Sequence, residues 1–474
     1  MVAGRLAAVL GAALVVIGAP AGAAAAGENA AAESAPTFNA DVGPILYENC
    51  ASCHRAGQVA PMALTSYEEA RPWARAIRTK VVAREMPPWF ADPRFGQFKD
   101  VTALSQEDVD TIAAWVDGGA PEGAGPAPDA PEFASDWLHE RPPDFVLEMP
   151  IDVEVPAQGE IEYLSVWAEN PFEEDVFLEA VQMRPGNPAV VHHAGIFTRE
   201  LPPGTRLGQD RVRPGGQLIP MPVPINPYED PAVKLARREA ARVFVEDAQL
   251  IFYRPGGGFN RFPEGTAKLV YAERALEFQM HYTLTGRPET DRSAAAFWFA
   301  RERPRRRMIT VGSGEHGGTG QVRIVESEEQ LELQAGSGFT RTPNIPPHAG
   351  DFRVTGIWPV LDDVTLYGVW PHMHFRGKDM TYIVSYPDGT EETLLHVPNY
   401  DFNWQIEYDF VEPLKVPAGS TLKTIGHFDN SIRNRYNPSP DREVFWGEQS
   451  WDEMFFIFTK YTIDKEDLGK RTSN

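Results

Sequence analysis

The sequence predicts a multidomain chain in which a small all-α domain is followed by two all-β antiparallel sandwich domains. Three observations carry this expectation. Apolar residues recur at helical spacing between residues 36 and 123, and a Pro-, Ala- and Gly-rich stretch follows at 124–147. Beyond it come short β-branched and aromatic runs broken by Pro and Gly. At 474 residues the chain exceeds one ordinary core, so the β part is expected to divide into 148–307 and 308–474.

In the helical part, Asp41 is placed to cap a short helix that carries Pro44, Ile45 and Leu46 just ahead of Cys50. Ser66 with Glu69 forms a capping box for a segment that Pro72 must kink or delay. The last helix is bounded by the Ser105/Asp108 box and by Gly118-Gly119, with Val109, Ile112, Trp115 and Val116 as its apolar stripe. Strands are expected at Ile161–Trp167, Val176–Met183, Val190–Phe197, Leu276–Leu284 and Val364–Trp370. Pro387-Asp388-Gly389 reads as a hairpin turn, and Val233–Phe244 as a loop helix.

The formal charge of −23 argues against nucleic acid or an anionic membrane as a partner, because phosphate binding needs a basic face. Arg305-Arg306-Arg307 reads as solvated surface. Residues 1–26 have the form of a signal peptide: Arg5, an apolar run from Leu6 to Ala19, then small residues. That run falls short of the ~20 residues that span a bilayer. A periplasmic or secreted protein without a stable membrane anchor is the expectation.

The two cysteines lie in Cys50-Ala51-Ser52-Cys53-His54, the spacing of covalent haem attachment. Two thiols serve the vinyl groups, and the adjacent imidazole reaches the iron. A zinc site would want two more Cys or His nearby, and a redox CxxC a βαβ setting; the sequence offers neither. Met86, before Pro87-Pro88-Trp89, is the first candidate for the remaining iron position, with Met62 its rival. Residues 36–123 resemble class I c-type cytochrome domains, which implies a methionine on such a loop and a covalent haem c.

Five of the 11 histidines fall in three tight contexts. His372-Met373-His374 closes a strand run, where residues two apart point the same way and can reach one metal. His192-His193 are adjacent, so sharing a metal requires a local bend. His281 stands alone in Phe278-Gln279-Met280-His281-Tyr282. His139, His316, His348 and His396 read as structural, and His427, beside Asp429-Asn430, is open between a structural and a supporting role.

Residues from about 148 to 470 resemble the type II copper, ascorbate-dependent monooxygenases, the family of peptidylglycine α-hydroxylating and dopamine β-monooxygenases. The resemblance implies two sandwich domains with one copper ion each. His192, His193 and His281 match the first copper site. His372, His374 and Met454 match the second, catalytic one, with Met454 in Gly447-Glu448-Gln449-Ser450-Trp451-Asp452-Glu453-Met454. Two imidazoles and a thioether suit copper because soft sulfur favours Cu(I); three imidazoles suit copper or zinc.

The chain departs from that pattern in three ways. Its β region has no cysteine. Trp370 stands where the peptide-processing member has an arginine for a substrate carboxylate, and Phe456 and Phe458 where it has Asn and Tyr. These changes imply a dry aromatic pocket and a small, apolar substrate rather than a glycine-extended peptide. A fused haem is the third departure. Hydroxylation with dioxygen needs two electrons, and no GxGxxG in a βαβ setting provides for NAD or flavin. The expected donor is an ascorbate-like reductant or a redox protein, with the haem as relay. The competing expectation is a non-catalytic haem/copper electron-transfer protein; a zinc hydrolase is disfavoured because no carboxylate base accompanies the His-x-His pair.

Overall fold

The computed structural model describes residues 35–129, 132–133, 137–159, 161, 163–199, 218–220, 249–312, 323–325, 342–447 and 449–469. The chain divides into Met1–Ala35 and Pro36–Asn474, and every described helix and strand belongs to the second unit. The expected signal segment, the expected helix at Val233–Phe244 and His316 lie outside the described residues. No described helix is long and apolar enough to cross a membrane. The chain is mostly β, with few helices and several small antiparallel sheets.

Helix formation near the N-terminus follows its caps. Thr37, not Asp41, is the N-cap: its hydroxyl accepts from Ala40 N, while Asp41 reaches back to Thr37 N at 2.7 Å. Helix α1 (Gly43–Asn49) follows at once. Ser66 caps a one-turn helix, Tyr67–Ala70, through Glu69 N; Pro72 then falls in a 3-10 turn, Arg71–Trp73, before α2 runs from Ala74 to Val82. In α3 (Gln106–Asp117) both arms of the Ser105/Asp108 box form. Phe38, Leu46, Ile77, Val109, Ile112 and Trp115 close a small core between these helices.

Residues 83–104 break the expectation of a continuous helical region. They hold no helix; Trp89–Phe98 pack on the second sandwich, and Leu104 returns to the helical core. Asp92 N donates to His396 O and Lys99 N to Asp409 O, each at 2.8 Å, and Phe98 stacks on Phe410 with ring centroids 5.6 Å apart. Aromatic burial and unpaired edge carbonyls outweigh local propensity here.

The first sandwich is built from β1 (Leu164–Ala168), β2 (Val176–Arg184), β3 (Val191–Arg199), β4 (Gln249–Tyr253), β5 (Ala275–Tyr282) and β6 (Ala294–Phe299). One sheet runs in the order Leu218–Pro220, β1, β5, β3, β4; the other includes Phe145–Glu148, β6 and β2. Val166, Ile196 and Phe278 from the first meet Leu178, Val181 and Phe297 from the second. The end of the expected linker belongs to this body: Trp137 packs on Trp298, and Phe145–Glu148 pairs with β6.

The second sandwich follows with β7 (Phe352–Pro359), β8 (Val364–His372), β9 (Gly377–Ser385), β10 (Glu391–Val397), β11 (Tyr408–Val416), β12 (Thr421–Phe428) and β13 (Phe456–Ile463). Its sheets run Ile309–Val311, β13, β8, β11 and Arg323–Val325, β7, β12, β9, β10. The β9–β10 hairpin turns at Gly389, whose φ of +87° suits glycine. Leu366, Ile457 and Tyr461 pack against Val354, Tyr382 and Leu422. Each such aliphatic side chain contributes about 1.5–3 kcal/mol on burial, so a region without cysteine has ample packing energy. The arginine run is not free surface: Arg306 pairs with Asp464 at 3.7 Å and Arg307 with Glu466 at 2.7 Å.

Candidate functional site

Strands β3 and β5 are antiparallel neighbours. His193 faces His281, and the register then slips so that Val191 faces Tyr282. His192 is the extra residue of this bulge, which supplies the bend that adjacent strand histidines need. The rings of His192 and His193 stack at 4.0 Å, and His281 lies 5.3 and 5.7 Å from them. Ligand nitrogens of the three lie within 4.8 Å of one another. His193 Nε2 is 3.0 Å from the carbonyl oxygen of Asn403, which leaves Nδ1 as its metal-facing atom. His281 Nδ1 is buried without a hydrogen-bond partner, a costly state for a lone pair that nothing engages. Burial pushes the His192 pKa down to about 4 and those of His193 and His281 well below the ordinary value. All three are therefore neutral at neutral pH, the form that binds metal.

The second group sits where β8 meets β13. The ladder ends with His372 opposite Phe456; Met454 is buried two residues before Phe456, and His374 is buried two residues after His372. The two rings are 5.2 Å apart. His372 Nδ1 lies 2.6 Å from Gln405 Oε1, and His374 Nδ1 lies 3.2 Å from the carbonyl oxygen of Asp452. With each Nδ1–H given to an oxygen, each Nε2 remains for a metal, the arrangement that orients metal-binding histidines. Glu453 fixes the methionine segment: its carboxylate accepts the backbone N–H of His374 at 2.9 Å and of Arg376 at 2.6 Å. Burial lowers the His372 pKa to about 4 and that of His374 well below the ordinary value.

Aromatic rings wall this group. Phe456 stacks on His372 at 5.7 Å, Trp370 stacks on Phe458 at 4.4 Å, and Phe252 of the first sandwich reaches Trp370 at 4.5 Å. Trp370, Phe456 and Phe458 thus form one aromatic surface, with Trp370 Nε1 its buried, unpartnered polar atom.

Between the two groups lies a loop that sequence reasoning missed. Phe402 is buried, with its ring 5.6 Å from His193, 5.9 Å from His281 and 5.6 Å from His374. Gln405 bonds His372 through Oε1 and lies 3.3 Å from His193 Nδ1 through Nε2. Tyr163 stacks on His281 at 4.3 Å and hydrogen-bonds Gln405 and Ser450 through its hydroxyl. The sequence marks this loop only by an Asp401 N-cap to Asn403 N, a turn signal that says nothing of a metal's neighbour.

The Cys-x-x-Cys-His segment opens on a cavity of about 1270 Å³ lined by Cys53, His54, Met86, Trp89, His192 and Trp404, among others. Its wall therefore joins the attachment motif to the first histidine group. His54 Nδ1 is buried without a partner, and burial lowers that ring's pKa. Burial raises both thiols, Cys50 to about 12. Met86 lines the cavity, whereas Met62 packs against the helical core. Gly256 of the first sandwich passes so close that a Cβ there would stand 3.3 Å from Cys53 Sγ. Cys53, His54 and Met86 line this cavity while Cys50 packs against the helical core beside it, a donor set whose residue types fit a covalently held haem.

The other described histidines lie elsewhere. His427 pairs with Asp379 at 2.7 Å, His348 with Asp441 at 3.3 Å, His396 bonds Thr381 at 2.8 Å, and His139 stacks on Trp298 at 5.1 Å.

No family model matches the chain, and no curated protein matches it. Solved structures resemble it only distantly. A two-domain protein of unknown function from Bacteroides fragilis is 11% identical over 63% of this chain and 85% of its own, with a TM-score of 0.18. The tandem CBM22 domains of Paenibacillus barcinonensis Xyn10C reach 9%, 63%, 82% and 0.16 on the same measures. The VP2 subviral particle protein of infectious bursal disease virus reaches 10%, 70%, 75% and 0.15. Similarities this low leave function to the chemistry of the chain's own residues.

Proposed function

We propose that the chain is an exported copper-dependent monooxygenase with a fused c-type cytochrome region, hydroxylating a C–H bond of a small, apolar substrate. The overall change joins R–H, dioxygen, two electrons and two protons into R–OH and water. The observation that carries the reading is the meeting of two groups of neutral, partly or fully buried imidazoles, with the buried Met454 directly after the Asp452-Glu453 pair that holds His374. Copper at these groups would supply one-electron chemistry toward dioxygen, and a haem at Cys50, Cys53 and His54 would supply one-electron transfer.

The chain's own residues divide the work. His192, His193 and His281 offer one set of nitrogens; His372, His374 and Met454 offer two nitrogens and a sulfur. Gln405 and the Asp452 carbonyl hold the second set's tautomers. Trp370, Phe456 and Phe458 exclude water and present no cation for a substrate carboxylate. Met86 is the cavity's candidate for the sixth iron position. Electrons would come from an ascorbate-like reductant or a redox protein, and that His54 and His192 line one cavity supports entry there.

The test is oxygen uptake by copper-loaded, haem-bearing protein with ascorbate and a panel of small aromatic and aliphatic compounds, with product hydroxylation read by mass spectrometry. Uptake coupled to a hydroxylated product supports the reading. Reversible oxidation of haem and copper without product would replace it with that of an electron-transfer protein. Efficient hydroxylation of glycine-extended peptides would contradict the assigned pocket.

A further inference from the structure

We infer that Gln405 is a positioning residue that fixes the ring tautomers of His193 and His372 and so couples the two histidine groups. The coupling rests on the proposed reading of both groups as metal ligands; the tautomer assignment does not.

A primary amide has one accepting and one donating end. Oε1 of Gln405 lies 2.6 Å from His372 Nδ1, so that nitrogen carries the proton. Nε2 lies 3.3 Å from His193 Nδ1, so that nitrogen presents its lone pair. The proton of His193 then belongs on Nε2, where the Asn403 carbonyl oxygen waits at 3.0 Å. The three bonds agree with one another. Reversing the amide would require protons on both nitrogens of His193, a cation in a place where the ring is 1% exposed and three other imidazoles crowd it. Gln405 itself is 1% exposed and is held by the Tyr163 hydroxyl, so water does not compete for its amide.

The consequences for the two groups are opposite. At His372 the amide supports ligation, because it leaves Nε2 free and orients the ring. At His193 it occupies Nδ1, the nitrogen left once Nε2 is given to the Asn403 carbonyl, so a metal ion taking that nitrogen must displace it. Displacement loosens the bond that steadies His372. Filling the first group thus weakens the second, and by linkage the reverse holds equally.

The test uses full-length, haem-loaded, copper-free protein in the reduced state. Long-range proton–nitrogen NMR on histidine-labelled protein reads the tautomers directly. We expect His372 as the Nδ1–H form and His193 as the Nε2–H form; the opposite form at either ring overturns the inference without any variant. Titration with Cu(I) from a chelator of known affinity then compares wild type with Gln405→Leu. The variant should bind about 10–100-fold more weakly at the second group, as when a partner of a ligand is removed. It should bind about fivefold more tightly at the first group, where a competing hydrogen bond is gone. Weakening at both groups would mark a merely structural role and overturn the coupling. Expected tautomers with no Cu(I) bound would sustain the tautomer assignment while refuting the metal reading and the coupling with it.

Discussion

The two histidine groups use the same ring and the same kind of strand, yet they are prepared in opposite ways. In the first, a bulge forces His192 and His193 together, and His281 Nδ1 is buried with nothing bound to it. In the second, His372 ends a strand and His374 follows just beyond it, and each Nδ1 is tied to an oxygen. The first group is crowded and holds one unsatisfied nitrogen, on His281; in the second each ring is oriented by an oxygen. Backbone geometry alone assembles imidazoles, but neighbours decide which nitrogen they show.

The largest effect that would test this contrast comes from removing the second group's donors. His374→Ala and Met454→Leu should each lower copper affinity there by about 100-fold, while the first group keeps its metal and the haem spectrum is unchanged. Copper content per chain and visible spectra check this. Loss of copper from both groups alike would mean that they form one site.

Acid should act on both groups in the same direction. Their rings are neutral when folded, with His192 and His372 lowered to about 4 from an ordinary 6.5. Folded chains then bind fewer protons than unfolded ones. Stability is therefore full above about pH 6.5 and falls as pH drops toward 4, by about 1.4 kcal/mol per pH unit for each such ring. Thermal melts of metal-free protein between about pH 8 and pH 4 should show this decline, and copper should flatten it. His427 provides the opposite sign: its pKa is raised by the Asp379 carboxylate, so its contribution is present at low pH and lost as pH rises through the raised value. A metal-free protein whose stability rises on acidification to about pH 5 would contradict the assigned burial.

A smaller effect separates the groups by stability alone. His281→Phe removes an unengaged buried nitrogen, so the metal-free protein should be unchanged or about 1 kcal/mol more stable. His372→Phe strands Gln405 Oε1 and should cost about 1–3 kcal/mol. Urea melts of the two variants check the difference. Equal destabilisation would erase the distinction between a satisfied and an unsatisfied group.

Much of this arrangement is legible in the sequence because it follows from short-range rules. The His-x-His spacing brings His372 and His374 to rings 5.2 Å apart, although the strand ends at His372, and the Ser105/Asp108 box marks α3. What escapes is set by contacts between distant segments. Adjacent His192 and His193 require a bulge that only the pairing with β5 reveals. Residues 83–104 leave the helical region because Phe98 finds Phe410, far along the chain in β11. Phe402, Gln405 and Tyr163 carry no motif at all; they matter because two sandwiches meet there. Their roles follow from hydrogen-bond geometry, which a linear pattern does not encode.

The most direct test of the central claim is metal analysis with a visible spectrum on protein matured in an exporting host. About one iron as covalent haem and about two coppers per chain are expected, the coppers lost stepwise when either histidine group is altered. Zinc in place of copper, or a chain that carries haem and binds no copper, would contradict the claim.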